Sequence, residues 1–249
     1  MTWVGVSANE ARKSLKLKQA HNDLRWIGLA LHQYHETYGC FSSPVVYDDT
    51  GKPMHSWRSL IQPQLAFTGV NDEGFAMQRF DEPWNNPHNL AAAKANRFNR
   101  QDYSFLAIVG PEAVWQEDGS RRVRDFKDGP PKTILIVGIK NIEVGWHEPC
   151  DLTFDGKKLR LERDGQKRRI DLSKFQWFAL FADGRVSVMG EGMAETDIKA
   201  LITTLPVIRS MGIDDRPLFR WPRRKCSGQF PRCLGRFLRA ANGATDGNA

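Results

Sequence analysis

The sequence holds no run of eighteen or more apolar residues, so no segment reads as a helix able to span a bilayer. Its opening, MTWVGV, is too short for the apolar region of a signal peptide with its flanks. As it stands, the chain is expected to be soluble and without an export signal. Its four cysteines, Cys40, Cys150, Cys226 and Cys233, form no C-x-x-C pair, which argues against a zinc ribbon or a thioredoxin-like motif. Cys226 and Cys233 stand too far apart for a zinc knuckle, and no His follows them. Four cysteines permit disulfides without requiring them, so their pairing and the redox compartment stay open. There is no G-x-G-x-x-G, no Walker loop and no G-x-S-x-G, the glycine patterns that phosphate cradles and nucleophile elbows need. Internal repeats are absent, as is any heptad array beyond the first helix.

The 249 residues present are enough to bury a substantial core, and eight Trp with fourteen Phe supply bulk for it. The net charge of +7 would suggest a nucleic-acid partner if it were spread over the chain. It is not. From Arg216 onward there are eight basic residues and one acid, Asp246. Against totals of 36 and 29, that leaves 28 of each sign in positions 1–215. The chain thus divides into a neutral body, residues 1–210, and a basic, flexible C-terminal tail, residues 211–249. Any argument from net charge belongs to the tail. There Phe219, Trp221, Phe230 and Phe237 lie among the arginines, a mixture that could meet an anionic surface or stacked bases.

Ser7 and Glu10 form a capping-box pattern. After it Leu17, Ala20, Leu24, Ile27, Leu31, Tyr34 and Tyr38 recur at alternating spacings of three and four, one apolar stripe on a helix of about eight turns. Gly39 offers a left-handed stop. Residues 40–56 read as a loop, 57–65 as a short helix interrupted by Pro63, and 67–99 as irregular with a helical turn near 89–95. Strands are predicted at 103–109, ending in Gly110-Pro111, and at 133–137, a continuous apolar run expected to be buried on both faces. Two hairpins follow, around Asp164-Gly165 and around Asp183-Gly184, since both positions of an Asp-Gly turn need positive φ. A closing helix is predicted at 195–204. Strands segregated from the main helix define an α+β chain, with the long N-terminal helix packed on an antiparallel sheet.

Several segments in order resemble a large bacterial family of prepilin-like proteins of unknown function. They are NDLRWIGLALHQYH (22–35), YGCF (38–41), GKPMHSWR (51–58) and EPWNN (82–86). Next come residues 103–111, DG (128–129) with TIL (133–135), WHEP (146–149) and FADG (181–184), so the resemblance covers about residues 8–205. It implies a pilin- or pseudopilin-like fold and no established catalytic activity. It also implies a cell-envelope or extracytoplasmic location, with other pilin-like subunits or further copies of the chain as partners. Two departures stand out. The family's apolar membrane helix would precede Ala8, where this chain begins Met1-Thr2-Trp3, so a membrane is expected as a partner only if such a helix exists. In the family's H-x9-D-G motif the His position is taken by Ser173, while Asp183 and Gly184 remain.

The residues that could carry chemistry also have plainer roles. His32 and His35 share a helix face with His21 further back, yet no carboxylate completes a metal site in sequence. His147 and Glu148 could act as an acid–base pair, but in an extended segment they would point to opposite faces. Asp48-Asp49 and Asp72-Glu73 could offer oxygens to calcium, as pseudopilin relatives do, but fit no EF-hand. Cys40 follows a helix C-terminus, where the dipole would raise its pKa. The chain is therefore expected to be no enzyme, with no cofactor, no metal and no identified small-molecule substrate. Leu17, Leu24, Ile27, Leu31 and Tyr34 should dock the helix on the sheet, with Asp183 and Gly184 turning a hairpin and Trp57, Trp84 and Trp146 anchoring the middle. Two alternatives are kept: a soluble ligand- or glycan-binding module using exposed-looking Trp and His of the loops, and an anionic-surface or nucleic-acid binder acting through the tail, nucleic acid being the least expected partner.

Overall fold

A computed structural model describes residues 8–204 except 71, 101 and 118. The tail, its aromatics and Cys226, Cys233, Ser7 and the boundary at 210 lie outside the described residues. The first helix, α1 (Ala8–Tyr38), follows the predicted stripe. Ala20, Leu24, Ile27 and Leu31 are buried, and Leu17 and Tyr34 pack half-buried against the same cluster. The helix stops where Gly39 takes φ 79° and its amide donates to the His35 carbonyl at 2.7 Å.

In chain order, a set of short elements lies between this helix and the sheet. The hairpin β1 (Val45–Tyr47) and β2 (Pro53–Ser56) replaces the loop expected over 40–56. Its strands are too short for a period-two signal, and the Asp48 carboxylate makes the turn by accepting from the Thr50 and Lys52 amides. Next come α2 (Trp57–Leu60) and α3 (Gln62–Phe67), which divide the predicted helix just before Pro63, then α4 (Glu73–Met77) and α5 (Pro87–Ala95).

The main sheet is built from β3 (Tyr103–Val109), β4 (Trp115–Gln116), β5 (Gly119–Ser120), β6 (Ile134–Lys140), β7 (Leu152–Phe154), β8 (Leu159–Arg163), β9 (Gln166–Ile170), β10 (Trp177–Phe181) and β11 (Val186–Met189). The strand order is β11-β10-β6-β3-β7-β8-β9, with β4 and β5 beside β3. It is mixed rather than purely antiparallel, because β3 pairs in parallel with β7 and with β4. The other pairs are antiparallel. The long 141–151 connection gives the chain the length to return to β3 in that direction. Strands β3, β6 and β10 divide their side chains between two core clusters, one beneath α1 and the short elements, the other reaching α6 (Glu195–Ile202). Burial on both faces explains the unbroken apolar run in β6.

Both Asp-Gly hairpins form, by different turns. Asp164 and Gly165 take φ 51° and 75° between Arg163 and Gln166, the two-residue turn that the dipeptide favours. At 183–184 only Gly184 has positive φ, at 86°. The loop there has three residues, closed by the Phe181 amide on the Arg185 carbonyl, and the buried Asp183 accepts from the Arg185 amide at 3.0 Å. The Asp183 side chain builds the turn instead of a left-handed backbone.

Helix α1 packs tightly on the sheet at Gly28, where an added Cβ would stand 2.9 Å from Leu180 Cδ1. The obstruction is the end of a side chain, which can turn aside. Gly28→Ala is therefore expected to be near neutral, the gain of about 1 kcal/mol in helix propensity offsetting the crowding. Gly28→Val, with two more carbons at the contact, should lose about 1–3 kcal/mol in urea unfolding.

Candidate functional site

The polar residues of the short elements converge on two buried networks. The first is centred on Arg58 of α2, 1% exposed, and Asp151, just before β7. Strand β3 meets β7 only from Ile108 onward, which leaves the earlier edge of β3 to be satisfied otherwise. Asp151 Oδ1 accepts from the Ala107 amide at 2.7 Å, and Arg58 Nε donates to the Phe105 carbonyl at 2.8 Å. The two side chains thus extend the ladder where the strand has not begun. Arg58 joins Asp151 at 2.7 Å and donates to the Glu148 and Cys150 carbonyls. Trp57 Nε1 adds a donor to Asp151 at 3.1 Å. Burial pushes Asp151 up to about 6, against the pull of the Arg58 guanidinium and the donated hydrogen bonds. Such a carboxylate near neutrality is a common mark of catalytic sites; here Oδ1 takes the hydrogen bonds from Trp57, Arg58 and Ala107, and the buried Oδ2 has no hydrogen-bond partner among the described residues.

The second network runs His147–Gln62–Gln78–His55. Gln62 Nε2 donates to Gln78 Oε1 at 2.6 Å and to His147 Nε2 at 3.1 Å. Gln78 Nε2 donates to Ser59 Oγ at 2.9 Å and to His55 Nδ1 at 3.0 Å. His55 Nε2 faces the Phe80 carbonyl at 3.0 Å. With each amide spending both N–H groups, His147 Nε2 and His55 Nδ1 must be acceptors, so both rings are neutral. Burial pushes His147 down to about 4, with His55 adding to the effect and the Asn89 backbone opposing it, and burial lowers His55 as well.

Around these networks, Asn89 clamps the 79–83 turn by donating to the Arg79, Glu82 and Pro83 carbonyls. Asp72 caps α4 through the Gly74 amide and also accepts from the Arg97 amide. Trp146 stacks on Phe98, with ring centroids 4.1 Å apart.

The residues singled out in the sequence are placed as follows. His147 and Glu148 lie in a buried turn, not an extended segment, and have separate partners: Gln62 for His147, Arg163 at 2.8 Å and the Gly145 amide for Glu148. His32 and His35 both pack on Phe41, and burial pushes His32 down to about 4, with His35 adding to it. His21 lies against Phe178 instead. Asp48-Asp49 lie in the turn between β1 and β2 and Asp72-Glu73 at the start of α4, and the hydrogen bonds described above are those of Asp48 and Asp72. Ser173 donates its hydroxyl to Asp171 at 2.6 Å. Cys40 and Cys150 are unbridged, and burial pushes the Cys150 thiol up to about 12. The loop Trp and His that had looked exposed do not form an open surface: Trp57, Trp115, Trp146, His55 and His147 are buried, and Trp84 is half-buried. Arg58 and Asp151, the centre of the arrangement, were not among the sequence candidates. The signal that could have found Arg58 is a cation inside the apolar stretch Trp57 to Ile61.

Fold and site together describe an α+β domain in which Arg58, Asp151, His55 and His147 form hydrogen bonds within the fold. Residues 10–114 match the SBP_bac_10 family, described as a protein of unknown function (DUF1559). That stretch runs from α1 through the Arg58 segment and β3 to Val114. No curated protein and no solved structure gives a significant match. Among the described residues, no helix is long and apolar enough to cross a membrane.

The neutral histidines make the domain acid-sensitive. For His147 the folded pKa of about 4 lies below the unfolded value of about 6.5. Its contribution is complete above pH ~6.5 and is lost as pH falls toward 4, by about 3 kcal/mol in full. Asp151 works in the opposite sense, because its raised pKa means that acid relieves its burial cost. His147→Gln, which keeps an acceptor but cannot charge, isolates the first effect. Between pH 7 and 4.5 the variant should lose about 2–3 kcal/mol less than the parent in urea unfolding; equal losses would show that His147 does not set the acid limit.

Proposed function

We propose that the chain is a non-catalytic structural or interaction protein of the bacterial cell envelope, built on a pseudopilin-like plan. Residues 1–210 form the working domain, and the basic tail is an appendage to it. The observation carrying this reading is the division of α1. From Ala20 its stripe is buried on the sheet, whereas every residue from 8 to 19 is exposed except the half-buried Leu17. Leu15 in that stretch is an apolar side chain 65% exposed. A helix held rigidly at one end and bare at the other is suited to docking with further copies or related subunits. The internal hydrogen bonds of Arg58, Asp151, His55 and His147 support a non-enzymatic role. The family match supports the reading without supplying it, because that family's function is unknown.

Cysteine placed at Leu15, with Cys40, Cys150, Cys226 and Cys233 all replaced, gives the test in the native host. A bifunctional thiol reagent should join this position to another copy or another pilin-like subunit in the envelope fraction, and a cysteine at Lys157 should not be joined. A monomer recovered from the cytosol with no cross-link from Leu15→Cys would overturn the proposal.

A further inference from the structure

The exposed part of α1 overhangs one end of the sheet, and between them lies a cleft of about 760 Å³. Such a volume falls within the range of small-ligand sites. Its charge is one-sided. Arg12, Lys13 and Lys16 line it from the helix, with Lys140 and Arg168 from the sheet, against the single carboxylate of Asp102. Asp102 is already shared, bound by Lys16 at 2.9 Å and approached by Lys140 at 4.0 Å. Arg12, Lys13 and Arg168 make no ion pair among the described residues. In a body with 28 charges of each sign up to position 215, this concentration is a local feature and not the average of the surface.

The floor has the opposite chemistry. The half-buried Leu17 and Phe175 present its apolar surface, backed by Tyr103, Ile139, Ile142 and Ile170, which are buried behind them and show only their edges. A small inorganic anion would meet the cations and leave the apolar floor wet; a neutral apolar molecule would cover the floor and leave the cations unmatched. We infer that the cleft binds an amphiphilic anion, a phosphate or similar oxyanion joined to an apolar body, whose head sits among Arg12, Lys13 and Arg168 and whose body covers the floor. Fixed cations above a low-dielectric wall concentrate potential on such a head, and burial of the body supplies area-dependent attraction. The inference goes beyond the structural role proposed above and is independent of it, since a cleft can bind whether or not α1 docks with other subunits. The same chemistry could come from a soluble phosphorylated molecule or from a phospholipid headgroup.

The test uses the full chain and the Arg12→Gln/Arg168→Gln variant, both positions being exposed, so that the fold and the basic tail stay the same. Titration calorimetry with octyl phosphate below its micelle concentration should show saturable binding to the parent. The variant and inorganic phosphate should each bind at least tenfold more weakly. Co-sedimentation with phosphatidylcholine vesicles, with and without phosphatidylglycerol, distinguishes the source. A variant defect seen with octyl phosphate assigns the cleft to a monomeric ligand; a defect confined to the phosphatidylglycerol vesicles assigns it to a headgroup. Either supports the cleft as an anion site. Affinity equal in parent and variant for both probes, or binding to neither, would overturn it.

Discussion

A Leu24→Asp chain is expected not to fold. Leu24 is 0% exposed and lies in the cluster that joins α1 to Phe105, Phe178 and Leu180 of the sheet. Removing the leucine side chain alone should cost about 2–5 kcal/mol, from lost burial and the cavity left behind. The aspartate then adds a carboxylate that must either stay charged in an apolar core or bind a proton at neutral pH, at a further cost of several kcal/mol. Together these rival the whole stability of a typical domain, about 5–15 kcal/mol. The neighbouring position shows what a tolerated acid requires. Asp23 is 1% exposed on the same helix, but its Oδ1 accepts from Arg97 at 2.7 Å. Leu24→Ala separates packing from charge: it should remain folded with a lower urea midpoint, while Leu24→Asp gives no near-ultraviolet circular dichroism and no cooperative transition. A soluble Leu24→Asp chain unfolding within about 2 kcal/mol of the parent would refute the helix–sheet docking described above.

That docking was legible because the stripe from Leu17 to Tyr38 repeats over many turns, and sustained periodicity is a signal a single sequence can carry. The strand at 103–109 and both Asp-Gly hairpins were legible for related reasons, an apolar run ended by Gly110-Pro111 and two residues with strong turn chemistry. What was lost is short or non-local. Strand β1 has three residues, less than two periods of alternation, so it read as loop, and β7, equally short, gave no signal. The parallel pairing of β3 with β7 depends on the path of 141–151, which local propensity does not encode. At 183–184 the dipeptide foretold a turn but not its type, because Asp183 is drawn into the core and bonds the Arg185 amide. The polar networks were hidden in the same way. His147 and Glu148 attracted attention as a sequence pair, although each works with partners far along the chain, and Arg58 and Asp151 stand 93 positions apart.

Arg58→Met should be the most damaging substitution among the polar residues, costing about 3–5 kcal/mol, the range for removing one partner of a buried ion pair. Methionine fills much of the space, so packing is not the main loss. Asp151 would be left buried without its cation, and the carbonyls of Phe105, Glu148 and Cys150 would lose their donor. Arg58→Lys should recover little. A point-like ammonium cannot reproduce the planar fork that reaches three carbonyls and a carboxylate at once. Arg58→Met combined with Asp151→Leu should recover part of the loss, since no unpaired charge remains, but not all of it, because the Ala107 amide and Phe105 carbonyl still lack partners. The pH dependence separates charge from shape. In the parent Asp151 already sits near 6 through burial, and removing the guanidinium removes the main influence holding it down. In Arg58→Met the carboxyl should therefore take up a proton near neutrality, and acid should relieve the variant selectively. The deficit relative to the parent should be largest above pH ~7, shrink as pH falls toward ~6 and level off below it, even while the histidines weaken both proteins. Urea titrations of the pair at pH 8 and pH 5.5 measure this directly. A deficit independent of pH would assign the role of Arg58 to its carbonyl hydrogen bonds and not to the charge of Asp151.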